Sequence, residues 1–178
     1  HFKMQFGIQD LSFVFYGFDG NKSVNIFKSK ASFFEKEKPF PEKVIWKSWK
    51  GKNIPFFFSE NDKPVIEYRE SKAYINYDIL ASAFYFLSGW QEYFILMKDK
   101  HGRFPYSDSI QKKLNIAQIP VVNYYFDILK TALEETSRKK IKVTLWEKRP
   151  AHTTASAENP TMITFISHDI DRCMSAWK

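Results

Sequence analysis

The hydrophobic pattern of the chain changes period near residue 78. Up to about residue 70 the apolar residues fall in short runs or strict alternation. Residues 2–8, 11–16 and 24–27 are rich in aromatic and β-branched side chains, and Gly17, Asp19, Gly20 and Asn21 form a turn cluster between them. Residues 44–49 alternate apolar with polar, Gly51-Lys52-Asn53 reads as a turn, and residues 54–58 form a further apolar run. A polar loop over 59–64 then precedes a short strand over 65–68.

From Asp78 the spacing becomes helical. Ile79, Leu80, Ala83, Phe84, Leu87, Trp90, Phe94 and Met97 recur at steps of three and four, which predicts one amphipathic helix over 78–98 with Asp78 as its N-cap. Gly89 inside that helix costs about 1 kcal/mol relative to Ala, so a packing contact is expected there. A second helix is predicted over 120–137. Pro120 suits its first turn, Val122, Phe126, Leu129 and Leu133 form its apolar stripe, and Arg138-Lys139-Lys140 stands at the negative end of its dipole. Residues 141–146 read as a short strand.

These elements predict an α+β domain over residues 1–147: an N-terminal mixed or antiparallel sheet, then two or more helices packed on it. Residues 148–160 are small and polar between two prolines, the composition of a linker. Met162-Ile163-Thr164-Phe165-Ile166 is a β-branched apolar run, the pattern of a buried strand that opens a second unit at 161–178.

Composition agrees with a folded core: 44% of the 178 residues are hydrophobic and 18 are Phe. The net charge is +7, but the cations are interspersed with 20 acids and no dense basic block stands out, so nucleic acid is not an expected partner. The single cysteine, Cys173, excludes an internal disulfide and a cysteine-based zinc site. No apolar run reaches about 18 residues, so no transmembrane segment is expected, and the first residues lack a signal-peptide layout. The expectation is a cytoplasmic protein.

The candidate chemistry lies in Ser167-His168-Asp169-Ile170-Asp171-Arg172, which follows the predicted strand directly. Strand ends of this kind are where α/β and barrel enzymes place reacting groups. Two carboxylates with one residue between them can divide the work of metal-assisted hydrolysis, one holding a divalent ion and the other acting as a base toward water. The structural alternative is a turn in which one Asp caps a following helix.

The stretch Thr164-Phe165-Ile166-Ser167-His168-Asp169-Ile170-Asp171 resembles the first motif of polysaccharide deacetylases, the carbohydrate esterases with a NodB-like domain. That resemblance implies that residues 161–178 begin a truncated, deformed (β/α) barrel. It implies Asp169 as general base, Asp171 as metal ligand with His168 beside it, and a divalent metal, zinc or similar, in the full-length parent. His168 and Ile170 depart from the family's usual Thr-Phe-Asp-Asp-Gly. The family's second motif, His-x-x-x-His, has no counterpart among His1, His101, His152 and His168. No metal and no activity are therefore expected of the fragment alone. Upstream, residues 74–133 resemble the accessory domain of unknown function that precedes such HDxD-type domains in Bacteroidetes-type proteins. The segments 78–93, 99–105 and 119–124 carry that likeness.

Several other residues have both a functional and a structural reading. His101 and Arg103, in Asp99-Lys100-His101-Gly102-Arg103-Phe104-Pro105, are candidate binding residues for an anionic sugar or for the missing catalytic domain. The alternative is a helix C-terminus, with Gly102 as left-handed cap and His101 on the dipole. Glu92 is a candidate partner for Arg103. Trp46, Trp49 and Phe56-Phe57-Phe58 suit either a sugar-stacking platform or core packing. Three functions follow: an accessory domain of a glycan deacetylase, a glycan-binding or domain-docking module, or a structural domain beside a degenerate barrel.

Overall fold

The computed structural model describes residues 14–17, 21–29, 33–59 and 62–141. Its architecture is α+β. A mixed sheet has the strand order β1-β2-β6-β5, and a separate antiparallel hairpin is formed by β3 and β4. The strands are β1 (Val14–Tyr16), β2 (Val24–Ile26), β3 (Ile45–Trp49), β4 (Lys52–Phe56), β5 (Ile66–Arg69) and β6 (Lys72–Ile75). The helices are α1 (Ile79–Leu87), α2 (Trp90–Phe94), α3 (Ile110–Lys113) and α4 (Val121–Ser137), with one 3₁₀ turn at Tyr106–Asp108. β1, β2 and β6 run parallel, and β5 turns back antiparallel to β6.

The two hairpins close differently. In β3–β4 the loop is Lys50-Gly51, between the paired residues Trp49 and Lys52. Both loop residues have positive φ, at 47° and 77°, which is the type I′ geometry whose twist matches the strands. The predicted turn at 51–53 therefore lies one residue too late, and Lys52 and Asn53 already belong to β4. Pro55 lies within β4 opposite Trp46. Counting from the loop, that pair is a non-hydrogen-bonded one, where a residue without an N–H is tolerated. In β5–β6 the loop is Glu70-Ser71, and Glu70 takes φ 55° without a glycine to mark it. The sequence pattern gives no sign of β6 for that reason.

α4 supplies the main buried layer. Its inward residues are Val121, Tyr125, Ile128, Leu129, Ala132 and Leu133. They meet Val24 and Ile26 of β2, Ile54 and Phe56 of β4, and Ala73 and Ile75 of β6 in one cluster. Leu129 and Leu133 match the predicted stripe. Val122 and Phe126 stand at its half-buried margin, so the true stripe is rotated by about one residue. The Tyr125 hydroxyl donates to the Pro55 carbonyl, which joins α4 to the hairpin.

The single helix expected over 78–98 is two helices. Gly89 sits between them with φ 64°, a left-handed conformation that costs an L-residue about 1–2 kcal/mol. Gly89 thus marks a change of direction rather than a close contact within a helix. The new direction brings Trp90 onto an aromatic cluster with Phe33 and Phe34, and its indole N–H donates to the Lys38 carbonyl at 3.0 Å. The buried Gln91 accepts from the Ile110 N–H at 2.8 Å and so fixes the start of α3 relative to α2. After Phe94 the backbone is extended at Ile95, and residues 95–99 are not helical.

Because Ile128 is fully buried between α4 and the sheet, Ile128→Ala is expected to lower unfolding free energy by about 3 kcal/mol. Urea denaturation followed by circular dichroism checks this. A loss below about 1 kcal/mol contradicts the packing described.

Candidate functional site

Of the residues singled out from sequence, Asp169, Asp171 and His168 lie outside the described residues, as do the 148–160 segment and Cys173. His101 and Arg103 are described and exposed. They belong to a tight reversal built on Asp99. The Gly102 N–H donates to the Asp99 carbonyl at 2.9 Å, and the Asp99 N–H donates to the Arg103 carbonyl at 2.8 Å. This is a three-residue loop with its left-handed glycine at φ 77°. The Asp99 carboxylate accepts the backbone N–H groups of His101 and Arg103, at 2.8 and 2.9 Å, and Arg103 Nε at 3.2 Å. The Arg103 N–H, the neighbouring amide of His101 and the guanidinium together hold the Asp99 carboxyl below its usual range. Gly102 is left-handed as expected but caps no helix, and His101 faces no helix dipole. Arg103 pairs with Asp99 rather than with Glu92.

A second polar constellation surrounds Asp78, which is fully buried. Its carboxylate accepts the Tyr16 hydroxyl at 2.8 Å, the Ser29 hydroxyl at 2.6 Å, the Ser29 N–H at 2.8 Å and the Ala81 N–H at 2.9 Å. Asp78 is therefore the N-cap of α1, as its position in the sequence predicts, and also a tie to β1 and to the segment after β2. Four donors satisfy both oxygens, which leaves this carboxylate poorly placed to bind an ion. Burial, and then the charge and hydrogen bond of Asp78, push the Tyr16 phenol well above its ordinary value.

A third lies at the tip of the β3–β4 hairpin. Asp127 of α4 accepts the Trp49 indole N–H at 2.8 Å and pairs with Lys50 Nζ at 2.6 Å. Burial alone would raise the Asp127 carboxyl, but Lys50 and Trp49 outweigh it and hold it below the usual range. Phe56 and Phe57 are fully buried, so the Phe56–Phe58 run is core rather than a platform. Trp46 is different: it is 43% exposed. Among the described residues, no group of three or more His, Cys, Asp or Glu is placed to hold a metal ion. No described helix is long and apolar enough to cross a membrane.

The largest departure from sequence expectation is the outer face of α1 and α2. Leu80, Phe84 and Leu87 were expected to face the core because they recur at helical spacing. They point outward, and Ile79, Ala83 and Tyr85 point inward. Phe84 is 53% exposed, and farther along Tyr93 and Leu96 reach 80% and 87%. A row of touching rings links the two helices, from Phe84 through Phe34 and Trp90 to Phe94 and Tyr93. The exposed basic residues Lys98, Lys100 and Arg103 follow in sequence. The signal was present in the sequence: Ile-Leu-Ala-Ser-Ala-Phe-Tyr-Phe-Leu is apolar nearly all round. A helix of that kind needs cover on two sides, whereas a one-sided surface helix does not.

Two outcomes test this arrangement. Asp78→Ala strands the Ser29 and Ala81 donors and is expected to cost about 3 kcal/mol of stability, measured by chemical denaturation. On raising the pH, Tyr16 stays protonated in the fold while the unfolded chain ionises from about pH 10. Stability is therefore complete below that pH and falls above it. Tyr16→Phe is expected to make the alkaline decline shallower, and an unchanged slope contradicts the Tyr16–Asp78 contact.

The comparison with known families finds one match over most of this structure. The model of a family of unknown function, DUF7033, matches residues 4–138, from the N-terminal region to the end of α4. No curated protein and no solved structure matches the chain significantly.

Proposed function

The chain belongs to DUF7033, a family of unknown function, and from its surface we propose that it is a non-catalytic accessory domain docked on a metal-dependent, polysaccharide deacetylase-like hydrolase. The occupant of the α1–α2 outer face, in this reading, is the hydrolase domain that the predicted strand at 162–166 begins.

The observation that carries this is the exposed apolar face itself. Leu80, Phe84, Leu87, Tyr93, Leu96 and Met97 expose large apolar area within one stretch of chain. Large exposed apolar area followed in sequence by the exposed cations Lys98, Lys100 and Arg103 is the composition of a protein interface. The 148–160 segment would tether the neighbour a short distance from the end of α4, which favours association by raising effective concentration.

The chemistry would belong to the neighbour. A bound divalent ion would supply a water acidified toward about pH 7. Asp169 would accept that water's proton, and Asp171 with His168 would hold the ion. A catalytic zinc uses three protein ligands, so the site would need at least one more from the hydrolase domain. The substrate would be an N- or O-acylated glycan.

The test uses a polypeptide that carries both domains. Phe84→Asp with Leu87→Asp is expected to split its thermal unfolding into two transitions. It should also raise the rate of proteolysis within 148–160 by about tenfold, the equivalent of 1.4 kcal/mol of lost docking. Unchanged unfolding and cleavage contradict the docked arrangement. Asp169→Asn in the same polypeptide is expected to abolish deacetylation with the fold intact, and full turnover in that variant removes the hydrolase reading.

A further inference from the structure

We propose that the outer face of the β3–β4 hairpin is a binding subsite for a neutral pyranose, with Trp46 as the stacking ring and Ser48 and Asn53 as its polar edge. This proposal goes beyond the docking reading and does not rest on it, since it concerns different elements.

The argument begins with parity. In β3 the residues Ile45, Lys47 and Trp49 alternate inward, and Trp46 and Ser48 alternate outward. Across the pair, Ser48 is opposite Asn53, and Trp46 is opposite Pro55. The outward face thus exposes an indole, a hydroxyl and a carboxamide, with Pro55 of the same parity buried beside them, and these four described positions carry no charge. The cations of this hairpin are elsewhere: Lys47 on the inward parity bonds to Asp62, Lys50 at the tip bonds to Asp127, and the exposed Lys52 pairs with Trp49 on the parity opposite to Trp46. A chain with net charge +7 would ordinarily be expected to present a cation to a glycan. This face does not, and it selects a neutral partner.

The tryptophans supply the second line. The described chain has three, and two are committed. The Trp49 N–H is given to Asp127 and the Trp90 N–H to the Lys38 carbonyl. Trp46 has no acceptor for its N–H and no stacked ring among the described residues, and 43% of its surface is exposed. Nor do the exposed side chains of Ser48 and Asn53 have a hydrogen-bond partner among the described residues. A flat apolar ring beside unengaged donors and acceptors matches the two faces of a pyranose. The axial C–H groups cover the indole, while the equatorial hydroxyls meet the N–H, the hydroxyl and the amide. The close spacing of a non-hydrogen-bonded pair sets the Pro55 ring beside the indole, so stacking needs little ordering of Trp46.

The test is a titration of the whole 178-residue chain with chitotetraose, cellotetraose and mannotetraose, with oligogalacturonate as the anionic control. Heat and tryptophan fluorescence are both followed. At least one neutral tetrasaccharide is expected to bind with a change in indole emission. Trp46→Ala is expected to weaken that binding by about tenfold or more. Trp46→Phe should retain part of it, and Asn53→Ala should weaken it by a smaller factor. Thermal unfolding of each variant is expected to match the parent within a few degrees, because all these side chains face outward. Absence of binding to every neutral probe overturns the proposal. So does preference for oligogalacturonate, or undiminished binding by Trp46→Ala.

Discussion

The carboxylate of Asp78 is the point on which the rest of this structure depends. It sits in the interior and accepts from three separate parts of the chain: the end of β1 through Tyr16, the segment after β2 through Ser29, and the first turn of α1 through Ala81. A buried ion is tolerated only when it is satisfied in this way. The consequence is geometric. The sheet and α1 meet in a fixed relation, so the inward residues of α1 reach the core and its outward residues are held in a defined array.

Much of the fold was legible in the sequence where one physical rule acted alone. Asp78 is a favoured N-cap immediately before helical spacing, and it caps. Pro120 and the periodicity after it mark α4 to within a residue at each end. The alternation over 44–49 marks β3. The failures occurred where two rules competed. Residues 79–97 carry a long helical period, but Gly89 takes a left-handed conformation and divides it. β6 went unread because its hairpin turns on Glu70 and Ser71, which carry no turn signature. Gly102 was recognisable as left-handed, but the same conformation serves a hairpin loop as well as a helix cap. Only the hydrogen bonds of Asp99 decide between the two.

The candidate sites divide in the same manner. The acid pair at Asp169 and Asp171 was read from sequence and lies outside the described residues. The aromatic residues were read as a group, and the structure separates them by depth. Phe56 and Phe57 are core, Trp49 is committed to Asp127, and Trp46 faces out. Sequence spacing can assign parity along a strand, but it cannot say which parity meets a core until the partner layer is known. For β3 and β4 that layer is α4, which arrives more than sixty residues later. The outer face of α1 has the same origin. Its residues are apolar on both sides, and only the position of the sheet shows which side is left over.

Pro55 carries one last consequence. Its carbonyl points away from β3 to the Tyr125 hydroxyl, and its missing N–H costs nothing because no ladder bond is due at that position. If β4 slid past β3 by a single residue, the proline would turn its donorless nitrogen into the ladder and its carbonyl away from Tyr125. The same slip would turn the buried side chains of Ile54 and Phe56 to the opposite face of the hairpin. A residue usually regarded as a strand breaker acts here as an alignment pin: it permits one register and penalises its neighbours.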